Sequence, residues 1–284
     1  MTDSELATEL ADARRLIDDE RTHIDEKLTA FDRFATGVSR LPTASPPSAQ
    51  STTSPTSSAG SAQSAGSAPA GTGPPGSISA AVSGRTSSDG TTRRVRSLFA
   101  ETVRPYSIED VDEPEPLLVT IREELSPEIA LAVAPSTDRA FTADVQAAIC
   151  SAVDQSQAEL RAMRQGLDTE ADSLRAADDL RGELADWIDD CQPSLELGFE
   201  ALCRRHERLA DFRQQCDALA ADRQSTLHGT TNHTATASLS HSTLVEYLYQ
   251  PLAVDYPVLS AAAQLTDYCE SRQRTVRRHL TQRV

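Results

Sequence analysis

Residues 143–194 read ADVQAAICSAVDQSQAELRAMRQGLDTEADSLRAADDLRGELADWIDDCQPS, and this stretch decides the fold. Thr142, just before it, is a residue type that caps a helix N-terminus. Val145, Ile149, Val153, Leu160, Met163, Leu167, Ala171, Leu174, Leu184, Trp187 and Ile188 then recur mainly at helical spacings, which gathers them on one face. A helix over 143–191 runs about 70 Å at 1.5 Å per residue. Cys191-Gln192-Pro193-Ser194 breaks it. A second stripe follows through Leu195, Phe199, Leu202, Leu209, Phe212, Cys216 and Leu219, to about residue 228. Two apolar stripes joined by a short connection predict a long antiparallel helical hairpin, coiled-coil-like, over 143–228. With no alternation of period two, the expected fold class is all-α.

Working outward, residues 1–41 predict one amphipathic helix. Leu6, Leu10, Ala13, Ile17, Ile24, Leu28, Phe31, Ala35 and Val38 form a heptad-like stripe with one break at Glu20. Such a stripe needs a partner, in its own chain or in another, and the pattern does not choose. Thr2 and Glu5 have the spacing of a capping box. Residues 42–92 hold seven prolines and seven glycines among Ser, Thr and Ala. That composition is expected to stay a disordered tether, with its ends about 40 Å apart as a random coil.

The helical domain is expected over 93–284. Short helices occupy 93–134, punctuated by Pro105, Pro114 and Pro116, with Ser107 and then Ser126-Pro127-Glu128 as helix starts. After the hairpin comes a polar loop, 229–241, and helices over 243–283. Thr243 with Glu246 reads as a capping box, and Asp255 reads as the cap of a last helix near Pro257. That helix turns Val258, Ala262, Leu265, Cys269, Val276 and Leu280 to the core.

The charge balance speaks to habitat. The chain has 43 Asp plus Glu against 27 Lys plus Arg, a net charge of −16, and Lys27 is its single lysine. At molar salt the Debye length is about 3 Å, so such self-repulsion is screened. GC-rich codon usage explains scarce lysine but not the acid excess, so the composition points to a halophilic archaeon. The longest apolar run, IALAVA at 129–134, falls far short of the roughly 20 residues that span a bilayer. Arg14-Arg15 is followed by a charged, amphipathic stretch and not by a signal-peptide core. A cytoplasmic protein is expected, and its five separated cysteines are expected to be free thiols.

Chemical motifs are sparse. Arg93, Arg94 and Arg96 ride on a short amphipathic helix, but the segment after them is strongly acidic, which argues against a phosphate contact. Cys203 and His206 share a helical face, with Cys191 and Cys216 flanking; without a CxxC pair they do not make a zinc set. His228, His233 and His241 are expected in the polar loop, where they add solubility. No GxSxG, Walker-type loop, GxGxxG or HExxH is present. No catalytic, cofactor-binding or metal-binding residue is therefore assigned, and no cofactor is expected. Tyr247, Tyr249 and Tyr256 suit either an interface or the junction of the last helix with the hairpin, hydroxyls at the surface. The C-terminal SRQRTVRRHLTQRV, with five arginines and no acid, suits a DNA contact. It equally suits the negative end of a helix macrodipole, and molar salt weakens phosphate contacts.

VRSLFAETV, CDALAADRQSTL and VEYLYQPLAVDYPVLSAAAQL carry a resemblance. Over about 93–284 the chain resembles an uncharacterised haloarchaeal family of helical proteins, classed as a domain of unknown function. The resemblance implies an all-helical fold and a haloarchaeal source, and no activity. Together these readings predict a non-catalytic helical interaction or scaffold protein, binding a protein partner or itself through helical stripes, with no membrane contact and nucleic acid disfavoured. The alternative is a DNA-associated regulator using the arginine-rich C-terminal helix.

Overall fold

Apolar residues at steps of three and four dominate the described chain, and helices follow from them. The computed structural model describes residues 3–44, 79–107, 115–135, 140–192, 194, 196–228 and 241–282. Among these the secondary structure is all-α and no strand forms. The helices are α1 (Asp3–Ser39), α2 (Ser79–Thr102), α3 (Leu117–Glu124), α4 (Pro127–Val133), α5 (Ala143–Asp189), α6 (Phe199–His228), α7 (His241–Tyr249) and α8 (Pro257–Thr281), with a 3-10 turn at Arg104–Tyr106. None is long and apolar enough to cross a membrane. The chain forms two compact units, Met1–Leu28 with Gln157–Val284, and Thr29–Ser156.

In the first unit the long helices lie alongside one another. Arg14 pairs with Asp178, Arg21 with Asp168 and Arg164 with Asp25, so α1 runs antiparallel to α5. Arg208 with Glu183 and Arg223 with Glu170 set α6 antiparallel to α5. Arg213 with Glu270, and Gln273 Nε2 donating to His206 O, set α8 antiparallel to α6. Between these rims lies one apolar core: Leu10 and Ile17 of α1, Leu167 and Leu174 of α5, Leu209 and Phe212 of α6, Val245 of α7, and Val258 and Cys269 of α8. Each fully buried Leu, Ile, Val or Phe stabilises the fold by roughly 1.5–3 kcal/mol, whereas partly exposed ion pairs give about 0–1 kcal/mol. The apolar stripes hold the bundle, and the ion pairs, on its rim except for the buried Arg223–Glu170 pair, mark the helix directions. The stripe of α1 is thus covered within its own chain.

The second unit joins the end of α1 and the start of α5 to α2, α3 and α4, and side chains close several of the helix ends. Phe34 packs edge-on against Phe99, with ring centroids 5.5 Å apart. At Gly37 a Cβ would stand 3.1 Å from both Leu98 methyls, so a glycine here lets α2 approach α1 closely. Last-turn carbonyls of a helix need outside donors. Gln146 Nε2 donates to the carbonyls of Val38 and Leu41, at 2.8 and 3.2 Å. Ser156 Oγ donates to Glu124 O at 2.7 Å, and Arg96 donates to Val133 O. The ends of α1, α3 and α4 are each met this way. Ser126 caps α4 as expected, accepting from Ile129 N at 3.2 Å, and Thr142 accepts from Val145 N at 3.3 Å.

Several expectations are corrected. Residues 45–78 of the expected tether, Thr2 and the 229–240 loop lie outside the described residues, but α2 already begins at Ser79 and its Thr91 and Thr92 are buried. Helix formation is cooperative, so the segment packed through Val95 and Phe99 extends backwards through poor helix formers. On α1 the buried positions past Leu28 are Ala30, Phe31, Phe34 and Val38; Ala35 is only partly buried. The larger Phe34 takes the core position because α2 offers it Phe99. The α5–α6 connection is longer than expected, since α6 starts at Phe199. Helix α7 starts at His241, which puts Thr243 inside the helix and not at its cap. For α8 the N-cap is Tyr256, with no side-chain cap bond, and not Asp255.

Candidate functional site

The only histidine both buried and salt-bridged among the described residues leads to the site that sequence reasoning missed. His241 opens α7 with its ring turned inward, and Tyr249 closes the same helix; both are buried. They converge on Glu170 of α5, opposite Arg223 of α6. Arg223 Nη1 donates to Glu170 Oε2 at 2.6 Å, and Nη2 donates to Oε1 at 2.7 Å. Tyr249 Oη donates to Oε1 at 2.7 Å. His241 Nε2 lies 3.0 Å from Oε2, and facing a carboxylate it carries the proton. The Glu170 and Arg223 side chains have 0% exposure.

Burial is the largest single influence on Glu170 and pushes its pKa up. The hydrogen bond from His241, the charge and bonds of Arg223 and the Tyr249 hydroxyl together outweigh it, so the carboxyl sits below its ordinary range. This is the expected behaviour of a carboxylate whose charged form takes several hydrogen bonds. Tyr249 is driven the other way, by burial first and then by the Glu170 charge, and its phenol is held protonated far above the ordinary value. Arg223 Nε is the one buried nitrogen of the cluster without a partner. A groove of about 240 Å3 reaches the cluster at Arg223 alone, bordered by Thr169, Asp172, Ser173, Asp222 and Thr226. Arg223 forms part of its floor, yet its side chain has no accessible surface.

Chemically the arrangement is closed. A general acid or base needs an atom within reach of substrate, and here both Glu170 oxygens are taken up by Arg223, His241 and Tyr249, with Arg223 Nε left over. What the cluster does is tie α5, α6 and α7 together through one carboxylate. Breaking such a buried pair from one side is costly, because a buried charge is left uncompensated.

The residues singled out from sequence do not gather into one site. Cys191 lies at the end of α5, while Cys203 and His206 lie along α6; all three are partly buried. Cys216 is fully buried, beside Thr266 and Cys269 of α8. Among the described residues no group of three or more His, Cys, Asp or Glu is placed to hold a metal ion. His228 ends α6, exposed, with Nδ1 2.6 Å from Gln224 O; His233 lies outside the described residues. His241, expected in the loop, is instead core. Arg93 and Arg94 are exposed, while Arg96 is engaged by a helix end. Tyr247 is exposed, Tyr256 Oη meets Glu246 at 3.4 Å, and the hydroxyl of Tyr249 is buried, contrary to expectation.

The chain belongs to the family described as Domain of unknown function (DUF7260), whose model matches residues 8–273. The match takes in α1 as well as the later region where the sequence resemblance lay. Neither a curated protein nor a solved structure matches the chain.

Proposed function

We propose that this protein is a non-catalytic helical interaction scaffold working in the cytoplasm of a halophilic archaeon. The observation that carries the reading is the buried Glu170–Arg223–His241–Tyr249 cluster, in which the ionisable groups are turned on one another. The apolar stripes likewise serve helix packing inside the chain. Contact with a partner then falls to the outer surface, where Leu131, Phe199 and Tyr247 are 55%, 56% and 58% exposed. An acidic excess suits a protein that stays soluble in molar salt.

The test is light scattering of the purified protein at molar salt, with a quantitative pull-down from a haloarchaeal lysate. A partner or second copy retained at fixed stoichiometry supports the scaffold. A strictly monomeric protein retaining nothing in fixed ratio contradicts it. The DNA-regulator alternative has a narrower base, because Arg272 is held by Tyr268 and Arg274 by Glu270. Arg277 and Arg278 are exposed on the same helix. If DNA binding at graded salt is unchanged by Arg277→Glu with Arg278→Glu, that alternative is removed.

A further inference from the structure

A cavity of about 170 Å3 opens where the end of α5 meets α6 and α8. Its apolar wall includes Trp187, Ile188, Leu209 and Val276, and its polar wall includes Arg205 and Arg272. About 150 Å3 of apolar cavity is enough to hold one benzene ring, so the space takes a single flat ring and a small head group.

Charge selects the head group. The chain carries 43 acids, yet no Asp or Glu is among the lining residues, while two guanidiniums are. Arg205 has a structural duty: Nη1 donates to Ser194 Oγ at 2.9 Å and Nη2 to Gln192 O at 2.6 Å, which closes the end of α5. Arg272 does not share it. Its Nη2 donates to Tyr268 Oη at 2.7 Å and its guanidinium lies 4.9 Å from that ring's centroid. A guanidinium has five donors in a planar fork, so this contact orients Arg272 and leaves donors for an anion.

We propose that the cavity binds a small organic anion with a flat apolar body, the ring against Trp187 and the carboxylate or phosphate head on Arg272. The site is independent of the scaffold reading, which stands if the site fails.

Trp187 is the single tryptophan of the chain, so its fluorescence reports the cavity directly. The full-length protein at constant molar salt is titrated with benzoate, phenyl phosphate, inorganic phosphate and benzyl alcohol. The expected result is a saturable change with benzoate or phenyl phosphate, and binding at least about ten-fold weaker for neutral benzyl alcohol, the scale of one charge-assisted hydrogen bond. Inorganic phosphate, lacking the ring, binds weakest. Arg272→Gln loses about ten-fold for the ring anions and little for benzyl alcohol. Cys191, in the cavity wall, is slowed towards iodoacetamide by the ring anion, while Cys150 is not; this readout holds even if Arg272→Gln misfolds. No saturable change up to about 10 mM, equal binding of benzyl alcohol, unchanged affinity in folded Arg272→Gln, or binding without protection of Cys191 would each overturn the proposal.

Discussion

Arg223 grips Glu170 with two parallel hydrogen bonds, 2.6 and 2.7 Å long, between helices α6 and α5, and neither side chain is exposed. The same carboxylate receives Tyr249 and His241 from α7. One residue thus organises three helices, and its worth is measurable.

Glu170→Leu is expected to cost about 3–5 kcal/mol in chemical denaturation, because it strands the Arg223 charge. Adding Arg223→Met removes that charge, and the double variant is expected to be more stable than Glu170→Leu alone. A double variant weaker by the sum of two independent losses would show that the pair is not coupled.

Tyr249→Phe removes one hydrogen bond to a charged acceptor while keeping the ring, for an expected loss of about 1.5–3 kcal/mol. Tyr247→Phe, on the exposed side of the same helix, is expected to change stability by less than about 0.5 kcal/mol. Comparable losses at both positions would contradict the assignment.

The acid and alkaline limbs have opposite signs. The Glu170 pKa is lowered in the fold from 4.5, so its contribution is present above that value and is lost as pH falls towards the folded pKa. The Tyr249 pKa is raised from 10.0. Above about pH 10 the unfolded chain sheds that proton and the native chain does not, so stability falls as pH rises. Ultraviolet titration of the native protein is expected to leave one of the 5 tyrosines silent until unfolding, and Tyr249→Phe removes the silent one.

Cysteine accessibility follows burial. Burial pushes the Cys216 thiol up, and burial with the neighbouring Cys216 pushes Cys269 up to about 12. Native protein in iodoacetamide is expected to label at Cys150, Cys191 and Cys203, which are partly exposed. Cys216 and Cys269 react only after denaturant is added. Native labelling of Cys269 at the rate of Cys203 would contradict the α6–α8 packing.

Long elements were legible and the polar cluster was not, for one physical reason. Periodicity reports a stripe when its members are apolar, so α1, α5 and the end of α6 lie within two residues of expectation. Glu170 interrupts the stripe between Leu167 and Ala171, and Arg223 follows Cys216 by one heptad, so both occupy core positions in register. A charged residue at a core position on each of two neighbouring helices was the available signal. Charge alone, read as a solvated face, hid it. The helical start of α2 at Ser79 was hidden differently: Ser, Thr and Gly there carry no stripe, and the helix depends on packing further along. His241 was misplaced because its neighbours in sequence are loop-like, while its partner is distant in sequence.

The scaffold reading rests on the stripe of α1 being covered by α5 of its own chain, where Arg21 meets Asp168. The most direct measurement places cysteines at those two positions, Arg21→Cys with Asp168→Cys, with the partly exposed Cys150, Cys191 and Cys203 replaced by serine. A short bis-maleimide then bridges them in dilute protein, because an arginine–aspartate contact is longer than a disulfide spans, and the products are mapped by denaturing electrophoresis and peptide mass. The expected product is a monomer bridged between 21 and 168, formed at a rate independent of protein concentration. A bridged dimer as the main product, growing with concentration, would contradict the account.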